Sequence, residues 1–147
     1  MRGNIVVKHG ARAVWLYTRK LGDLLPEILQ NALLRGKGSW GDTATLTNII
    51  HSEMVKFGCG DDKAFGISPF MTDNGGMVWA IDDVNEQVGC FYESGKLLRT
   101  WAFAAFLKLE DLNITAITGN ASFEDYNQQI VAIPNFSQVG TMVHVSE

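Results

Sequence analysis

The chain reads as an α+β fold of two layers, a mainly antiparallel β-sheet covered by two amphipathic helices. Three observations lead there: two stretches of helical apolar periodicity between Leu21 and Phe57, β-type alternation on either side of them, and the turn chemistry Asp73-Asn74-Gly75-Gly76 between two apolar runs. A helix with one apolar stripe and a sheet with an apolar face each need a partner to exclude water, so the two layers follow from the pattern.

In the first helix, Leu25, Ile28, Leu29, Ala32 and Leu33 follow the i, i+3, i+4 spacing of a single buried face. Asp23 is the expected cap, and Pro26 fits because the first turn has no amide to lose. Gly36 ends the helix, with Arg35 and Lys37 placed where cations favour the C-terminal carbonyls. The second helix begins after Asp42, carries Leu46, Ile49, Ile50, Met54 and Phe57 on its stripe, and stops at Gly58. Glu53 lies seven residues after Leu46, about 20° away on the helical wheel, and so points with the apolar set. A carboxylate there must be paired, hydrogen-bonded or at the rim. It is either a partly desolvated ligand contact or, the favoured alternative, a rim residue held by Arg19, Lys20 or Arg99.

Asn4 to Lys8 and Ala13 to Thr18 form the first hairpin, with both faces of the second strand apolar. One face meets the helices; the other exposes aromatics or is covered by a second chain or by the C-terminal segment. After the helices, strands at Phe65 to Phe70, Met77 to Asp82 and Gln87 to Tyr92 are expected as a three-stranded antiparallel meander. A short strand through Trp101 and a helix from about Phe103 to Leu109 follow. In the tail, strands are expected at Ile114 to Thr118 and Thr141 to Val145, with a short helix at Phe123 to Gln129.

The length of 147 residues suits a single domain over 1–147, with 111–147 as an added oligomerisation or partner segment. A hydrophobic content of 46% is that of ordinary globular material. The net charge of −4, with scattered basic residues, argues against nucleic acid as a partner. No apolar run approaches the ~20 residues of a membrane span, and the N-terminal MRGNIVVKHG lacks the apolar core of a signal peptide. The expected location is the cytoplasm, or the host cytoplasm for a phage-encoded chain. Cys59 and Cys90 have neither CxxC spacing nor a shared element, which disfavours a disulfide or zinc site.

The run LPE..Q.AL.RGK..W.D (Leu25 to Asp42), the II.SEM of the second helix and the FGIS at Phe65 to Ser68 resemble a family of small uncharacterised proteins of bacterial and phage genomes. The resemblance covers Val14 to Leu107. It implies the α+β architecture and a phage or mobile-element origin, and it carries no established activity. After Leu-Tyr-Thr this chain has Arg19 and Lys20 where the family pattern has His-Trp, so any function of that pair is lost or changed here.

The candidate chemistries separate by residue type. His9, His51 and His144 stand alone in three elements, which disfavours nucleophilic catalysis. Asp61, Asp62, Asp73, Asp82 and Asp83 sit where turns are expected and read as solvated turn formers rather than metal ligands. The loop Arg35-Gly36-Lys37-Gly38-Ser39-Trp40-Gly41 is the most suggestive site: its glycines, two cations and aromatic face could hold a phosphate and stack a base. The alternative is an ordinary helix connection with Trp40 as a core anchor, and this alternative is favoured. The expected function is a non-enzymatic binding protein, a phage counter-defence protein sequestering a nucleotide-type signal. Arg19, Lys20, Arg35, Lys37, Trp40 and Glu53 are the candidate contacts, with no cofactor. The two apolar sheet faces suggest a homo-oligomer. Docking on a host protein is the alternative, and a nucleotide-processing enzyme using Glu53 is the weakest reading.

Overall fold

The computed structural model describes residues 2–59, 65–71, 76–92 and 94–113. Its elements run in the order β1 (Gly3–His9), β2 (Arg12–Thr18), α1 (Leu25–Arg35), α2 (Thr43–Phe57), β3 (Phe65–Ser68), β4 (Met77–Asp82), β5 (Gln87–Phe91), β6 (Leu97–Ala102) and α3 (Phe103–Phe106). The strands form one sheet in the order β3-β2-β1-β4-β5-β6. All neighbours are antiparallel except β1 and β4, which run parallel. The α+β class and the mainly antiparallel sheet are those expected from the sequence.

Strand alternation decides which side chains meet the helices. Ile5 and Val7 of β1, Leu16 of β2, Trp79 and Ile81 of β4, and Val88 and Cys90 of β5 share one face. They pack with Leu25, Ile28, Leu29, Ala32 and Leu33 of α1 and with Leu46, Ile50 and Met54 of α2. Each of these large aliphatic side chains contributes roughly 2 kcal/mol by leaving water. Both helical stripes are therefore the ones read from the spacing.

The opposite face carries Val6, Trp15, Val78, Ala80, Phe91 and Leu97, which form a second buried cluster with Met71. Trp15 is 1% exposed and Phe91 fully covered within this single chain. These side chains of the second face are thus covered without a second chain, while Ile67 and Tyr92 remain exposed.

The first hairpin turns through Gly10 and Ala11. Gly10 has φ +61°, as the first central residue of a type II′ turn requires, and glycine meets no steric penalty there. The expected meander of β3, β4 and β5 does not form. β3 pairs with β2 at one edge, while β4 lies beside β1 in the middle, and the meander is β4-β5-β6. The physical reason lies in β4 itself: Val78, Trp79, Ala80 and Ile81 are apolar on both faces, which suits a central strand. The expected turn at Thr72 to Gly76 falls mostly outside the described residues, as does the tail from Ile114.

Helix ends agree with the sequence in part. Asp42 caps α2, accepting from the Thr45 amide at 3.1 Å and the Thr45 hydroxyl at 2.7 Å. Asp23 does not cap α1: it lies in a 3₁₀ turn, Gly22–Leu24, and the cap position falls to Leu24 with no side-chain hydrogen bond. Gly36 closes α1 by donating its amide to the Ala32 carbonyl at 2.8 Å. After Ala102 the β pattern gives way to α3, because Phe103 and Phe106, three apart, both reach the core. Trp79 and Trp101 stack at 6.1 Å, and Phe106 meets both rings edge-on.

Candidate functional site

The sequence-selected residues fall into separate places. Arg19 and Lys20 follow β2, in a turn where the Thr18 hydroxyl accepts from the amides of Lys20 and Leu21. That is the end of the sheet where Thr18 pairs with Gly3. The connection from α1 to α2 reaches the other end of β2, because Gly41 and Thr43 bond to Asp83 and Thr43 also meets His9. The seven residues of β2 separate these ends by roughly 20 Å. Arg19 and Lys20 therefore do not join the α1–α2 loop.

Arg35 and Glu53 do come together. The Arg35 Nε lies 3.2 Å from Glu53 Oε1, and its Nη2 donates to the Ile49 carbonyl at 3.2 Å and the Ser52 hydroxyl at 3.1 Å. Glu53 is 3% exposed, as its place on the wheel required, and its second oxygen, Oε2, is buried without a hydrogen-bond partner among the described residues. The pairing partner expected from the sequence was Arg19, Lys20 or Arg99. Arg35 takes that role because the end of α1 lies against the middle of α2, where Gly36 sits beside Leu46 and Ile49. Arg35 thus joins the two helices.

Trp40 turns inward. Its indole Nε1 donates to the Leu33 carbonyl at 3.1 Å, and its ring meets Phe103 edge-on at 5.0 Å. This is the core-anchor alternative: the ring is partly buried and packs against the core. Lys37 is exposed in the 3₁₀ turn Lys37–Ser39.

A polar constellation that the sequence did not single out lies where β1, β4 and α2 meet. Parallel pairing sets Lys8 opposite Asp82, and the Asp83 amide continues the ladder to the Lys8 carbonyl. Strand alternation then sends the two aspartates to opposite faces. Asp82 forms an ion pair with Lys8 at 3.3 Å on the outer face. It also accepts from the amides of Val84 and Asn85 and from the Asn85 side chain. Burial pushes its carboxyl up, but the Asn85 donors and the Lys8 ammonium outweigh this and hold it below the usual carboxylate value.

Asp83 faces the helices. Its Oδ1 accepts from the Gly41 amide at 2.7 Å, and its Oδ2 accepts a short hydrogen bond from the Thr43 hydroxyl. The same hydroxyl lies 3.0 Å from His9 Nδ1, which is 3.9 Å from Asp83 Oδ2. Asp82 and Asp83 are 7% and 1% exposed, so the solvated-turn reading is corrected for both. His9 is likewise not alone: Thr43 and Asp83 come to it from elements 34 and 74 positions away in the chain.

Beside this array, Val7, His9, Arg12, Ala13, Val14 and Thr43 line an open groove of about 440 Å³. Its floor is aliphatic, and its lip carries the imidazole and the guanidinium, held across the hairpin by the His9–Arg12 pairing. That juxtaposition was readable from the turn His9-Gly10-Ala11-Arg12. The approach of Thr43 and Asp83 was not, because nothing local encodes it.

Among the described residues, no group of three or more His, Cys, Asp or Glu side chains could hold a metal ion, and no helix is long and apolar enough to cross a membrane. Comparisons with protein-family models, with curated proteins and with solved structures find no match to this chain.

Proposed function

We propose that this chain is a non-enzymatic binding protein for a small anionic ligand with a flat apolar part, a nucleotide-type molecule being the class that fits. One observation carries the reading: the groove joins an aliphatic floor of Val7 and Val14, which share the helix-side face of the hairpin, to a lip with Arg12 and His9. Its volume lies within the range of small-molecule pockets. No described carboxylate pairs with Arg12, so its guanidinium is available for a phosphate. The ligand expected from the sequence is kept, and its contacts move from the α1–α2 loop to the hairpin end. In the setting implied by the resemblance, the role is sequestration of a signal in phage counter-defence.

A second reading, docking on a host protein, is favoured by β3, an edge strand whose Ile67 is 62% exposed and is followed by a half-exposed Phe70.

Native mass spectrometry of the full chain with linear and cyclic nucleotides tests both. A retained intact nucleotide that is lost in Arg12→Gln supports the groove. Conversion of the nucleotide to a product would replace binding with catalysis. Indifference to every nucleotide offered would remove the ligand reading and leave β3 as the surface to pursue by pull-down.

A further inference from the structure

We infer that Thr43 and Asp83 fix the tautomer of His9, and that the groove consequently selects ligands carrying a hydroxyl next to a phosphate. This deepens the binding function proposed above and rests on it. A threonine hydroxyl has one proton and two lone pairs, whereas a carboxylate only accepts. The Thr43 proton is given to Asp83 Oδ2, whose other oxygen is already occupied by the Gly41 amide. The 3.0 Å contact between Thr43 and His9 Nδ1 can then be a hydrogen bond only if Nδ1 carries a hydrogen and donates it.

In the neutral ring this leaves Nε2 with its lone pair, the reverse of the tautomer commoner in a free histidine side chain. Asp83 is fully buried beneath the array, while the His9 side chain is 58% exposed at the groove. The lip therefore offers two different functions side by side: an acceptor at Nε2 and a cationic donor fork at Arg12. A hydroxyl donates to the first and a neighbouring phosphate accepts from the second. The aliphatic floor takes a base in preference to a bare sugar phosphate. A nucleoside 3′-phosphate, with its 2′-hydroxyl beside the phosphate, has this chemistry; its 2′-deoxy counterpart lacks the donor.

Two measurements on the full chain test this. The first is the imidazole nitrogen spectrum of His9 at a pH where the ring is neutral: Nδ1 should be protonated and Nε2 bare. Thr43→Val should release that preference and Thr43→Ser should keep it. A His9 with its proton on Nε2 in the unaltered protein overturns the inference.

The second is calorimetric titration with adenosine 3′-monophosphate, 2′-deoxyadenosine 3′-monophosphate and ribose 5-phosphate. The ribonucleotide should bind about tenfold more tightly than the deoxynucleotide. Thr43→Val should shrink that ratio, and Arg12→Gln should weaken both. Equal affinities would overturn the hydroxyl selection while leaving the groove as a nucleotide site, whereas no binding of any probe would overturn the groove reading as well. Tighter binding of ribose 5-phosphate would assign the site to sugar phosphates and overturn the role given to the floor.

Discussion

At Glu53 the carboxylate is buried with one oxygen on Arg35 and the other without a partner among the described residues. The desolvation of such a group is only partly offset, so the two ends of the pair are unequal. Removing the half-exposed Arg35 strands a buried charge, whereas removing Glu53 leaves a guanidinium that still has solvent, Ile49 and Ser52. Arg35→Met is expected to lose about 3 kcal/mol of unfolding free energy, and Glu53→Met less than about 1 kcal/mol. Urea denaturation of the two variants and of the double variant decides this: equal losses in the single variants would mean that the pair contributes symmetrically. That Glu53 lies on the buried stripe was legible from its spacing. That Arg35 holds it was not, because the pairing depends on how far one helix slides along the other.

Helix α2 starts where it does because Asp42 ties down the free amide of Thr45. The Thr45 hydroxyl, together with that amide, holds the Asp42 carboxyl below its ordinary value. A carboxyl held low in the folded state stabilises the fold above the unfolded value and ceases to do so as pH falls through the folded one. Asp42→Ala should therefore lower Tm at neutral pH, and the gap from the unaltered protein should narrow in acid below pH 3.8. Thermal melts across that interval measure it; a gap independent of pH would mean that the cap acts through shape rather than charge. The helices themselves were legible because each carries a stripe, a stop glycine and, for α2, a cap in one short stretch. The Asp23 cap failed because a 3₁₀ turn inserts itself first and brings the chain into α1 without a side-chain cap.

Across the whole molecule, the parallel contact between β1 and β4 joins the β1-β2-β3 half of the sheet to the β4-β5-β6 meander. The Lys8–Asp82 pair sits on that seam, 6% and 9% exposed. Asp82 is held low in the folded state, so its contribution is present above pH 3.8 and is lost as pH falls through the folded value. Asp82→Asn removes the charge and leaves the Lys8 ammonium buried without its counter-ion. We expect a loss of about 3 kcal/mol at pH 7 that shrinks toward acid. Denaturant midpoints at pH 7 and pH 3 check this, and equal losses at both would show that hydrogen bonding, not charge, makes the seam.

The sequence by itself determined the class of fold, both apolar stripes, the first hairpin with its His9 to Arg12 turn, and the inward direction of Glu53, since all of these are written in residues within a few turns or strand steps of one another. Only the tertiary structure decided that β4 lies beside β1, that Trp40 faces the core and that Asp83 and Thr43 converge on His9. Those outcomes depend on contacts between residues tens of positions apart, and no local periodicity carries that information.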